Sequence, residues 1–281
     1  MRLAHIRDHR LILDRIETAT PRDSLSQFTN AIVTLVERLG VPELPLHIAL
    51  AGLQDPETGE CHAANIPCLD RTDLATLLCG RLGRTVRIAN DADCFALAEA
   101  RTGAAAGHDH VFGVILGTGV GGGLILNGQL ARGAQGLAGE WGHGRFLRES
   151  DTRFPFLRCG CGCKGCLDTI AGGQGLERLY LWQHGSALSA PEIISAWHQG
   201  ESHAVDTMTD HISIVSDALA LIVNVTGASR LPLGGGLGMA PGVATALDTA
   251  LRQKILRRSA TPIIVKAKLA NDAGLIGASY L

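Results

Sequence analysis

Four of this chain's eight cysteines crowd into one stretch, CGCGCKGCLD, Cys159 to Asp168. Thiolates bind metals or attack electrophiles, so the spacing C-x-C-x-C-x-x-C first raises a metal. Four sulfurs from one short loop converge poorly on a single ion, because alternate residues cannot all turn inward without strain. Three of them with His143, sixteen residues upstream, make Cys₃His, a common closed zinc set. Spacing leaves open whether Cys161 or Cys163 is the spare. A redox reading of Cys163-x-x-Cys166 lacks the βαβ context that such motifs need. Cys61, Cys68, Cys79 and Cys94 sit among apolar or mixed neighbours and read as buried free thiols.

Acids and a histidine form the next candidates. IANDADCFALAEA puts Asn90 and Asp91 at the end of a predicted strand, before a helix carrying Asp93 and Glu99. A carboxylate just past a strand can take a proton from a substrate hydroxyl. By local pattern alone, Asp91 or Asp93 reads first as the helix cap, a commoner task. GEWGHGRF supplies Glu140 and His143 at i, i+3, a pair suited to hydroxyl recognition or to metal.

Two glycine-rich runs follow. In LGTGVGGGL, Gly117, Gly119, Gly121, Gly122 and Gly123 with Thr118, Val120 and Leu124 can expose several N–H groups to one phosphate. The same run also reads as a hairpin that needs close backbone packing, and both readings stand. LGGGLG, containing Gly234, Gly235 and Gly236, falls between a strand and a helix, where α/β sheets often meet ligands.

The elements that must position these residues alternate between helical and extended periods. RDSLSQFTNAIVTLVERLG has one apolar helical face, with Asp23 or Ser24 as N-cap and Gly40 as stop. Strands are predicted at Leu44–Gly52, RTVRIAND, VFGVILGTG, VGGGLILNGQLARG, SRLPLGGG and PIIVKA, with Asn127-Gly128 as a hairpin turn. Helices are predicted in DRTDLATLLCGRLG, at Gln174–Gln183, Pro191–Gln199, His203–Val225 and Pro241–Leu256, and in DAGLIGASYL. This is an α/β protein with mixed sheets. A chain of 281 residues, 46% hydrophobic, can bury a core that begins to split into lobes. The net charge of −2 offers no basic field for nucleic acid. The charged MRLAHIRDHR lacks a signal peptide's apolar core, and the most apolar run, with six glycines, reads as buried strands rather than a membrane span. A cytoplasmic protein is expected.

Together these motifs resemble the ROK family of bacterial sugar kinases and sugar-responsive repressors. ILGTGVGGGLILNGQLARGAQGLAGEWGH resembles the family signature, and CGCGCKGCLD its zinc motif C-x-C-G-x-x-G-C-x-E. HAANIP, NDADCFALAEA and APEIISAW are most like members acting on N-acetylglucosamine. The resemblance runs from Met1 to Leu281 and implies a two-lobed actin-like ATPase (ribonuclease H-like) fold. It implies ATP-dependent phosphorylation of N-acetyl-D-glucosamine at its 6-hydroxyl, with Mg²⁺ and a structural Zn²⁺, and a homodimer. It implies zinc ligands His143, Cys159, Cys161 and Cys166, leaving Cys163 spare. It implies Asp91 as catalytic base and Gly52, Asn65, Asn90, Glu140, His143 and Asp168 as further sugar contacts. Gly117 to Leu124 resembles the second phosphate loop, and Gly234 to Gly236 the adenosine side.

Three departures from the family pattern stand out. Asp168 replaces the glutamate that ends the zinc motif, and Ala51-Gly52 replaces a Pro-Gly turn. The family's opening strand and D-x-G-G-T-K phosphate loop have no counterpart, so the first lobe is expected to be N-terminally truncated and transfer by this chain weak. The expected lobes are 1–108 and 109–270, with the closing helix 271–281 crossing back to the first. A non-catalytic sugar sensor of the same family is the competing expectation.

Overall fold

The chain opens on an antiparallel hairpin, β1 (Arg2–Arg7) and β2 (Leu11–Glu17), which the sequence periods do not announce. The structure, a computed structural model, describes residues 1–41, 43–257 and 259–281. Helix α1 (Leu25–Leu39) starts where Ser24 accepts the Gln27 N–H and stops where Gly40 turns left-handed at φ 69°. Both ends match their sequence signals, because a hydroxyl cap and a Cβ-free αL stop are local devices. Strand β3 (Leu46–Leu50) is shorter than predicted, and the small β4 (Leu53–Gln54) and β5 (Cys61–His62) form their own antiparallel pair. Helix α2 (Leu74–Leu82) leads to β6 (Val86–Asn90), which pairs parallel with β3. Phe28, Val36, Leu50, Leu69, Leu74, Leu78 and Ile88 make this lobe's core. Each such side chain contributes about 1.5–3 kcal/mol on burial.

Helix α3 (Asp91–Arg101) continues directly from β6. The second sheet then has the order β11-β10-β7-β8-β9. It comprises β7 (Val111–Leu116), β8 (Val120–Leu126) and β9 (Gln129–Ala131), with β10 (Leu231–Gly234) and β11 (Ile264–Lys266). β11, β10 and β7 run parallel, while β8 and β9 are antiparallel additions, so the predicted mixed sheet is present. Asn127 and Gly128, both at positive φ, turn β8 into β9, as a two-residue hairpin requires.

Helices α4 (Asp168–Ala171), α5 (Gly173–His184), α6 (Ala190–His198), α7 (Ser202–Thr226) and α8 (Val243–Lys254) cover this sheet. α8 begins two residues after Pro241, with Gly242 at positive φ as its N-cap, so the proline is not in its first turn. α7 is long and apolar enough to cross a membrane by length and composition. Here Ala204, Met208, His211, Val215 and Leu219 of α7 are buried, and the apolar ones join the larger core with Leu176, Leu233 and Leu247.

The short α9 (Ala273–Ala278) packs on α3 rather than on its nearer neighbours in sequence. Ile276 joins Phe95 and Ala98 in a small cluster, and Ala278 joins Ala89 and Cys94. The fully buried Glu99 locks this joint. Its carboxylate accepts N–H groups from Ala104 (2.7 Å), Lys268 (3.0 and 3.1 Å) and Leu269 (2.7 Å). A cavity of about 670 Å³ separates β1 from β3, with Leu35, Val36 and Leu39 of α1 along it. None of the candidate catalytic or metal-binding residues lines that cavity.

Candidate functional site

The polar residues gather where α3 leaves β6. Asn90, not either aspartate, caps the helix: its Oδ1 accepts the N–H of Ala92 (2.7 Å) and of Asp93 (3.4 Å). This corrects the local reading of Asp91 or Asp93 as the cap. Asn90 Nδ2 also donates to the Gly52 carbonyl (3.1 Å) and ties the cap to the β3 exit. With the cap supplied by its neighbour, Asp91 keeps its carboxylate free of side-chain partners among the described residues. It is exposed, yet protein crowds it, and that desolvation raises its pKa against hydrogen bonding from Ala92.

Asp93, two residues further into α3, is 3% exposed, with Oδ1 unpartnered. Burial pushes its pKa up to about 7; Arg132 opposes the shift, and Glu140 and Asp91 add to it. Glu140 is raised as well, mainly by burial, while His143 pulls it back. His143 Nε2 stands 3.5 Å from Glu140 Oε2. Burial thus raises all three carboxyls, and Asp91 adds to the shifts of the other two.

The glycine run divides into two parts. Gly117, Thr118 and Gly119 form the turn between β7 and β8, while Gly121, Gly122, Gly123 and Leu124 are strand residues paired with β7. Both sequence readings therefore apply, to different halves. Gly173 N–H donates to the Gly117 carbonyl (2.7 Å) and Gln174 N–H to that of Thr118 (3.3 Å). Val120 N–H is taken by Asp168 Oδ1 (2.8 Å). Among the described residues the N–H groups of Thr118 and Gly119 have no partner, and Thr118 is exposed. The second glycine run lies against the first. Gly235, at φ +83°, has no room for a Cβ, which would strike the Leu116 carbonyl. Leu237 and Gly238 donate to that same carbonyl at 3.0 Å. The two loops leave the neighbouring parallel strands β7 and β10 at one sheet end, where open α/β sheets bind ligands.

The cysteine loop meets this assembly from the other side. Donor atoms of His143, Cys159, Cys161 and Cys166 all lie within 4.8 Å of one another. Cys159 Sγ is 3.6 Å from His143 Nδ1, and Cys161 Sγ is 3.6 Å from Cys166 Sγ. A tetrahedral zinc with bonds near 2.3 Å sets its ligands about 3.8 Å apart, so this donor set fits such an ion. Hydrogen bonding from the Cys163 backbone lowers the Cys161 thiol to about 7, whereas burial raises Cys159 and takes Cys166 to about 12. Cys163 stands outside the group.

Asn65 is exposed in the loop after β5 and its side chain makes no hydrogen bond among the described residues. Sequence reasoning missed Arg132, which donates to the Ile88 carbonyl (3.0 Å) and faces Asp93. It also missed Trp141, whose Nε1 donates to Gly121 O (2.9 Å) and anchors the turn holding Glu140. His211 was missed too: wholly buried, lowered to about 4 by desolvation, it holds the Ala171 carbonyl (3.0 Å). Arg132 and Trp141 lie within quoted motifs without a role of their own there, and His211 lies in none; the partners of all three come from distant segments.

Glycine loops at one end of a mixed sheet, in a chain with two separate main α/β cores, are the arrangement of the actin-like ATPase fold. The whole chain, residues 1–281, matches the ROK family and belongs to it. It is 37% identical over 270 residues to the N-acetyl-D-glucosamine kinase of Salmonella gallinarum (strain 287/91), covering 93% of this chain and 89% of that protein. Among solved structures it resembles the ROK hexokinase of Thermus thermophilus, with a TM-score of 0.83, 31% identity and coverage of 96% and 90%. It also resembles the ROK family glucokinase of Streptomyces griseus, solved with glucose and AMPPNP, with a TM-score of 0.77, 28% identity and coverage of 99% and 94%.

Proposed function

We propose that this ROK-family carbohydrate kinase transfers the γ-phosphoryl group of Mg-ATP to the 6-hydroxyl of N-acetyl-D-glucosamine in the cytoplasm. The observation that carries the reading is Asp91: an exposed carboxylate, spared from capping by Asn90 and made more basic by its surroundings. As the sugar oxygen bonds to the γ-phosphorus, Asp91 accepts the hydroxyl proton. The bond to the bridging oxygen breaks and ADP leaves with its electron pair. Most of the rate then comes from alignment and charge stabilisation rather than from the base alone. Thr118 and Gly119 N–H groups would meet phosphate oxygens, and Gly234 to Gly236 would border the adenosine. Gly52, Asn65, Asn90, Glu140, His143 and Asp168 would surround the sugar. The working lobes are 1–108 with 271–281, and 109–270.

Zinc at His143, Cys159, Cys161 and Cys166 would supply a fixed, closed anchor and no open position for substrate. By occupying Nδ1 it would aim His143 Nε2 at Glu140. Elemental analysis should find about one zinc per chain, kept in Cys163→Ser and lost in Cys166→Ser.

A coupled assay over hexoses and N-acetylhexosamines tests the reaction. N-acetyl-D-glucosamine should be the preferred acceptor. Asp91→Asn should lower transfer by about 10²–10⁴-fold with sugar binding kept. Binding without turnover for every sugar would overturn the kinase reading in favour of a sensor.

A further inference from the structure

We propose that Asp168 is a positioning residue for the phosphate loop and that it couples the loop to the metal cluster. The inference rests on reading Gly117–Gly119 as the phosphate turn and the four-ligand group as a zinc site. The two oxygens of Asp168 face different neighbours. Oδ1 accepts the Val120 N–H at 2.8 Å, the first residue past the turn, and Oδ2 lies 3.8 Å from the Cys159 sulfur. The Asp168 main chain is held in turn by the Gly142 carbonyl (2.9 Å), one residue from His143, and Asp168 follows Cys166 by two. The carboxylate therefore sits between two cluster ligands and the turn.

The turn is shaped around it. A Cβ on Gly119 would stand 2.7 Å from Asp168 Oδ1. A Cβ on Gly172 would stand 2.6 Å from the Thr118 carbonyl and from Gly119 Cα. Gly173 and Gln174, just beyond α4, hold the two loop carbonyls, and His211 holds the end of α4 through Ala171. With the Gly117 and Thr118 carbonyls and the Val120 N–H engaged, the Thr118 and Gly119 N–H groups are the ones without a protein partner among the described residues. Metal loss would free the Cys159–Cys166 loop, shift Asp168 and release Val120. The site for nucleotide would then loosen although no metal touches it.

The test measures dissociation constants of AMPPNP and of N-acetyl-D-glucosamine on the full chain. Zinc-loaded protein is compared with protein stripped of zinc and returned to magnesium buffer. Asp168→Ala should weaken AMPPNP about tenfold, as loss of a charged hydrogen bond does, beside any loss at the sugar that Asp168 would also border. Zinc removal should weaken AMPPNP similarly in the wild type and no further in Asp168→Ala. Gly119→Ala should reproduce Asp168→Ala on zinc-loaded protein, and the double variant should be no worse. Unchanged AMPPNP affinity in Asp168→Ala overturns the proposal. So does a loss confined to the sugar, or additive losses from stripping and substitution. Should stripping melt the helices by circular dichroism, the zinc-loaded Asp168→Ala and Gly119→Ala pair decides. No AMPPNP binding by wild type would instead refute the phosphate-turn reading, and this inference with it.

Discussion

The two ends of α3 treat buried carboxylates in opposite ways. At the C-terminal end Glu99, fully buried, takes N–H groups from Ala104, Lys268 and Leu269. At the N-terminal end Asp93, almost as buried, has Oδ1 unpartnered and a pKa pushed to about 7. A saturated carboxylate fastens structure, because every donor aimed at it is satisfied only while it stays in place. An unsatisfied one stores cost, and such cost tends to be kept where chemistry needs it. Asp91, beside it, completes the contrast: neither saturated nor sealed, it is exposed.

The comparison breaks most sharply at Glu99. Glu99→Gln should destabilise by about 2–4 kcal/mol, since the new amide sets a donor against donors and removes the charge. Urea unfolding measures this, with sugar binding by the remaining folded protein retained. If Glu99→Gln is neutral, the carboxylate is not the fastener. Asp93→Asn should do the reverse at alkaline pH. Between the ordinary carboxylate value of 3.8 and about 7 the native state holds the Asp93 proton and the unfolded chain does not. Unfolding then releases a proton, so stability falls as pH rises through that window. The variant should therefore gain about 1–3 kcal/mol over wild type at pH 8 and show little difference near pH 4. A pH-independent difference would remove the stored cost from the picture. Asn90→Ala should cost about 1 kcal/mol by loss of the cap. Smallest of all, Asp91→Asn should leave stability within about 0.5 kcal/mol although transfer collapses, which separates a reacting group from a fastening one.

The candidate site residues were legible because each carries a local signature. Cys159 to Cys166 announced a metal by spacing, the glycines announced two turns, and Asn90-Asp91 stood at a strand end. The division of labour among them was not. Asp91 and Asp93 both looked like caps until Asn90 was found taking both N–H groups. Val120 to Leu124 could be read as strand or as part of the phosphate turn, and pairing placed them in β8.

Sequence by itself determined what depends on neighbours a few residues apart: the face of α1 with its Ser24 and Gly40 ends, the Asn127-Gly128 turn, and the crowding of thiols in the cysteine loop. Those follow from helix period, positive φ and side-chain chemistry, which act within one turn of chain. Tertiary structure alone decided the partners that fix function. Asp168 reaches Val120 across 48 residues, Glu99 reaches Leu269 across 170, and Gly235 meets Leu116. No local pattern encodes such pairs, because they are made when the sheets and helices pack, and only that packing sets which acid is bonded and which is left unpartnered.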